Sequence, residues 1–153
     1  MTQRMHYTHV TPGGMKALAG VYSYVATCGL PPVLLDLVYL RVSQINGCAF
    51  CIDAHTRDLV NAGVPQDKIT LLPVWREGGP FFDAREQAAL AWAESVTHVA
   101  ETGVPQTDYD AAIAVLGEKE LADLTVAIGL MNAYNRMAVS FRATPRSVHE
   151  IGG

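Results

Sequence analysis

Apolar residues in this chain recur at three- and four-residue intervals, and nowhere do they alternate with polar ones over the length of a strand. That period gives each segment one apolar stripe to bury against another helix and leaves a sheet without a buried face. Met15, Leu18, Ala19, Tyr22 and Val25 set a helix over about residues 13–28, which Gly29 ends. Pro31-Pro32 open a second, over 32–45, because proline's fixed φ suits a first turn and its missing N–H is not needed there. Asn46-Gly47 is a turn signal, after which a third helix covers about 48–62 with Gly63 as its cap, and a short one covers 66–72. Glu77-Gly78-Gly79-Pro80 reads as a loop. Asp83 and Glu86 then have the spacing of a capping box ahead of the stripe Ala84, Ala88, Ala91, Trp92, Ser95, Val96 and Val99. Two more helices cover about 106–115 and 119–141, the last apolar nearly all round and expected to be central and buried. Leu and Ala outnumber the β-branched residues, so the fold class is all-α, a helical bundle. No compositional break divides the 153 residues, which read as a single domain, 1–153.

Composition removes several function classes. Half the residues are hydrophobic and only 17% are charged, too apolar for a disordered chain. The net charge is -4 and Lys and Arg are scattered singly, so nucleic acid is not an expected partner. The leading residues 1–9 lack the apolar run of a signal peptide. The richest apolar run, 124–131, stops at Asn132, short of the roughly 18 to 20 residues that a membrane span needs. A cytoplasmic protein with no membrane partner is expected.

Cys48-Ala49-Phe50-Cys51-Ile52-Asp53-Ala54-His55 is the segment that carries chemistry. Thiol reactivity requires the thiolate, and a free thiol with a pKa near 8.5 is mostly protonated at neutral pH. A helix start favours negative charge through its unpaired N–H groups and dipole. His55 lies one turn beyond Cys51 on the same face, within reach as base or imidazolium partner. Two thiols three residues apart can close a disulfide. Cys51 is therefore read as the attacking thiolate, Cys48 as the resolving partner and His55 as the proton shuttle. Asp36, on the preceding helix, is the candidate group for orienting the imidazole. Cys28 reads as a small buried hydrophobe. Two rivals use the same residues. Cys48, Cys51, His55 and Asp36 could make a tetrahedral zinc site, but structural zinc usually draws on two separated knuckles and one is present, so this ranks second. A redox sensor whose disulfide alters assembly ranks third.

From 36 to 141 the chain resembles the carboxymuconolactone decarboxylase family, in its alkylhydroperoxidase D-like branch. The resemblance is carried by the run from Leu40 through Cys48 and Cys51 to His55, by Trp75-Arg76-Glu77, by Arg85-Glu86 and Trp92-Ala93-Glu94, and by Ile128 to Arg136 with Asn132 and Asn135. It implies an all-helical fold assembled as a homo-oligomer, a trimer or hexamer. It also implies reduction of a small hydroperoxide, or disulfide exchange, through Cys51 and Cys48 with His55 relaying protons, regenerated by a thiol reductant and without a bound cofactor or metal. Two positions depart from the family pattern. Asp36 stands where the family has glutamate, and Phe50 stands where some members carry histidine. The decarboxylase branch works without this cysteine pair, so a lactone decarboxylase-like activity is a further alternative.

The remaining candidates read as structural. His6, His9, His98 and His149 have no partner at ligand spacing, and Trp75 and Trp92 sit among apolar neighbours. Asn132, Asn135 and Arg136 are polar groups in an apolar helix and need partners, either in neighbouring structure or around the thiols. Gly129 is expected to allow close helix approach.

Overall fold

The computed structural model describes residues 2–151; residues 1, 152 and 153, the ends of the expected single domain, lie outside them. Among the described residues nine α-helices follow in chain order: α1 (Tyr7–Val10), α2 (Pro12–Thr27), α3 (Pro32–Ile45), α4 (Ala49–Asn61), α5 (Gln66–Leu71), α6 (Ala84–Thr97), α7 (Val99–Thr102), α8 (Gln106–Phe141) and α9 (Arg146–Ile151). No strand occurs among the described residues. The expected loop at 77–80 is instead part of two 3₁₀ turns, Leu72–Glu77 and Gly79–Phe81, which carry Trp75 into the core. The short α1 and α9, too brief for a periodic signal, were not expected. The two helices expected at 106–115 and 119–141 are arms of α8, broken at Gly117, whose φ of 73° only glycine adopts without strain.

The bundle is built on α3, which packs against α4, α6 and α8, while α6 and α8 also pack on each other. Leu34, Leu35, Val38, Tyr39 and Val42 of α3 face α6 and α8, and Leu37 and Leu40 face Leu59, Leu72, Trp75 and Phe82 on the other side. A helix buried on two faces explains why its sequence shows a broad apolar surface rather than one stripe. Each such leucine contributes about 1.5–3 kcal/mol by leaving water. The second arm of α8 buries Leu124, Ala127, Ile128 and Met131 but exposes Val126 and Val139, so it is central on one face and not all round. Gly129 does not serve close approach: a Cβ built there meets nothing within 4 Å. The Asp83–Glu86 capping box forms in both directions, through bonds of 2.8 and 3.0 Å.

Glu94 of α6 ties three elements together. It accepts from Arg41 Nε of α3 at 2.7 Å, Trp75 Nε1 at 2.9 Å and Arg76 at 2.6 Å. Burial opposes ionisation, but hydrogen bonds from Arg76, Trp75 and Arg41 outweigh it and hold the carboxyl below its usual range. A depressed folded pKa contributes stability that is present above the unfolded value of about 4.3 and is lost as pH falls through the folded value. Glu94→Gln removes that acid-limb dependence and leaves two cations and an indole N–H with a weaker partner. The expected cost at pH 7 is about 2–3 kcal/mol in urea unfolding, shrinking toward zero as the pH falls below 4.

Candidate active site

The turn between α3 and α4 sets the position of both cysteines. Gly47 has φ 66°, the Cys48 N–H donates to Ser43 O at 2.9 Å and the Gly47 N–H to Gln44 O at 3.2 Å. This pair of bonds closes the end of α3 in a Schellman motif and delivers Cys48 as the N-cap of α4. Asn46 at the turn donates to Asn132 Oδ1 at 3.0 Å and to Asn135 Oδ1 at 2.9 Å, while Asn135 Nδ2 donates to Ser43 Oγ at 3.0 Å. The polar residues of α8 therefore brace the turn that precedes the thiols, within the same chain, and Arg136 donates to Asn132 Oδ1 at 2.9 Å in support.

Cys48 and Cys51 are joined as a disulfide with Cα atoms 5.4 Å apart, and Cys48 Sγ accepts from the Cys51 N–H at 3.3 Å. Both are buried, at 1% and 5% exposure. They face different hollows. Cys51 and His55 share the wall of a cavity of about 300 Å³ with Tyr22, Met131 and Tyr134, and Tyr7 of α1 also borders it. Cys48 borders a second hollow of about 440 Å³, formed with Val139, Pro145 and Val148 near α9. Phe50 lies between and touches both.

The cavity holding Cys51 is largely apolar. Burial raises the phenols of Tyr7, Tyr22 and Tyr134 above their ordinary value, so they stay protonated. Tyr39, raised further by burial, packs its ring 5.1 Å from that of His55. On its other edge His55 presents Nδ1 to two carboxylates, 3.4 Å from Asp36 Oδ1 and 3.6 Å from Asp58 Oδ2. Neither makes an aligned hydrogen bond, and Nδ1 is buried without a bonded partner.

The structure thus brings Cys48, Cys51, His55 and Asp36 into one cluster. Asp58, which the sequence reading does not include, joins them, and its i,i+3 spacing from His55 is a local signal for that contact. Tyr7 and Tyr22 arrive from elements remote in sequence, and no local pattern marks them. Cys28 lies apart, half-buried, with its thiol donating to Val25 O at 3.0 Å. Trp75 and Trp92 are core residues whose indole N–H groups bond Glu94 and Thr125. His6, His9, His98 and His149 are exposed. No helix among the described residues is long and apolar enough to cross a membrane.

The family model of the carboxymuconolactone decarboxylase family matches residues 12–95. The chain is 34% identical over 140 residues to the uncharacterized protein YdfG of Bacillus subtilis, covering 92% of this chain and 95% of that one. A crystal structure from Agrobacterium tumefaciens, of a protein of unknown function with a suggested role in antioxidant defence, superposes with a TM-score of 0.90 at 38% identity, over 94% of this chain and 98% of that one. The alkyl hydroperoxide reductase AhpD of Methylocella silvestris is 47% identical over 45 residues, which are 29% of this chain and 25% of that protein.

Proposed function

The chain belongs to the carboxymuconolactone decarboxylase family, and from that premise we propose that it is a thiol-dependent oxidoreductase that reduces small organic hydroperoxides. One observation carries the reading: Cys51, bonded to Cys48, shares with His55 the wall of an apolar cavity of about 300 Å³. In the reduced protein the Cys51 thiolate attacks the distal oxygen of the hydroperoxide. The O–O bond breaks, Cys51 becomes a sulfenic acid, and the alkoxide leaves with a proton supplied by His55. Cys48 then attacks the Cys51 sulfur, closing the disulfide and releasing water. Overall two thiols and one hydroperoxide give a disulfide, an alcohol and water, and an external dithiol reductant restores the pair.

The surroundings support these roles. Cys51 sits in the first turn of α4, where the helix dipole favours a thiolate. The Cys51 N–H is placed to stabilise Cys48 as the thiolate that resolves. With Nδ1 turned to Asp36 and Asp58, Nε2 of His55 is the nitrogen left for the cavity, and Asp36 acts as a positioning residue. Burial of both sulfurs favours a small substrate over direct exchange with a protein disulfide. The cavity wall carries no lysine or arginine among the described residues to hold an anionic lactone. A homo-oligomer is also proposed, since α2 fully buries only Val25 and leaves Val21, Tyr22 and Tyr24 exposed at its surface.

Mass spectrometry of the reduced protein after one equivalent of cumene hydroperoxide tests the reading. The expected result is loss of two hydrogen atoms' mass, mapped to the peptide holding Cys48 and Cys51. Oxidation confined to Cys28, or no change at all, overturns it.

A further inference from the structure

The imidazole of His55 is flanked in a way that a proton relay does not require. A relay needs one orienting carboxylate, whereas Nδ1 here faces two, from α3 and from α4, and has an aligned hydrogen bond to neither. His55 is more than nine-tenths buried, so the orphaned nitrogen is costly unless something else bonds it. The two separations from Nδ1 are close to those imposed by a shared ion. An ion about 2.0–2.1 Å from each of two tetrahedral donors holds those donors roughly 3.3–3.4 Å apart. Nδ1 is 3.4 Å from Asp36 Oδ1 and 3.6 Å from Asp58 Oδ2, and one donor atom from each of the three residues falls within 4.8 Å of the others.

We infer that Asp36, His55 and Asp58 form a binding site for a first-row divalent cation of the zinc class, with water completing the coordination. One imidazole and two carboxylates suit a borderline ion better than calcium or magnesium, which take oxygen donors alone. Access is open, because the Asp58 side chain is half-exposed at the surface of α4. The cysteine sulfurs take no part, so this donor set differs from a thiolate site and persists when Cys48 and Cys51 are bonded to each other. Its consequence for turnover rests on the function proposed above. An ion on Nδ1 leaves the proton fixed on Nε2, and His55 can then no longer accept one from Cys51, so the cation inhibits.

The test uses the oxidised protein, whose binding behaviour does not depend on any turnover. Isothermal titration with zinc chloride is expected to show one ion per chain. Asp58→Asn, at a half-exposed position that folding tolerates, should raise the Kd about tenfold or more, and His55→Gln should abolish the site. Cobalt in place of zinc should give d–d absorption without a thiolate charge-transfer band. No binding overturns the site. So does binding equally tight in Asp58→Asn, which would place the ion elsewhere, for instance at exposed His6 and His9, whose rings stack 5.9 Å apart.

Discussion

Cys51→Ser is expected to reduce hydroperoxide turnover to the uncatalysed level, a fall on the order of 10³ or more. A serine hydroxyl is almost wholly protonated at neutral pH and its oxygen does not accept an oxygen atom from a peroxide, so no slow version of the step survives. Cys48→Ser should behave differently. It leaves the attacking sulfur in place and removes the group that closes the disulfide. The variant should consume one equivalent of hydroperoxide and stop, with a sulfenic acid on Cys51 that dimedone captures. Stopped-flow peroxide consumption distinguishes the two, and thermal melting checks that the buried serine, which costs about 1–3 kcal/mol if its hydroxyl lacks a partner, has not unfolded the protein. Full turnover in Cys51→Ser, or multiple turnovers in Cys48→Ser, would sink the assignment of roles.

His55→Gln carries the second-largest effect. General acid–base groups contribute on the order of 10²–10⁴, and the glutamine amide can fill the space between Tyr39 and the cavity without moving a proton. kcat/KM for hydroperoxide should fall within that range while the disulfide still forms slowly. Asp36→Asn should act through the same ring and cost less, roughly tenfold to a hundredfold, with kcat falling and KM little changed. Asp36→Glu restores the carboxylate one methylene further out and should recover most of the rate. A uniform loss in both variants, with lowered melting temperatures, would mean that Asp36 serves only packing at the α3–α4 contact.

The helices were legible because their signals are local. Pro31-Pro32, Asn46-Gly47, Gly63 and the Asp83–Glu86 pair act over one turn of backbone, and each start or stop they mark is found in the fold. The motif was legible for the same reason, since Cys48, Cys51 and His55 lie within about two turns at the start of one helix. Local rules also misled. The glycine-rich stretch at 77–80 looked like free loop, yet packing of Trp75 and Phe82 against Leu37 and Leu72 tightens the region into 3₁₀ turns. Gly129 looked like a contact glycine and faces open space.

What the chain's order of residues determined alone is thus the helical class, the starts and stops that Pro31-Pro32, Asn46-Gly47, Gly63 and Asp83 mark, and the presence of a dithiol with an imidazole one turn away, because each depends on neighbours within about four positions. That Asp36 meets His55 from the neighbouring helix, which tyrosines close the cavity, and which hollow each sulfur faces were decided only by tertiary structure. Asp36 reaches His55 across the α3–α4 packing, Tyr7 and Tyr22 come from the amino-terminal helices, and Met131 and Tyr134 come from α8. Such meetings depend on burying the two faces of α3 at once, and no pattern confined to one helix encodes where its neighbours' side chains will lie.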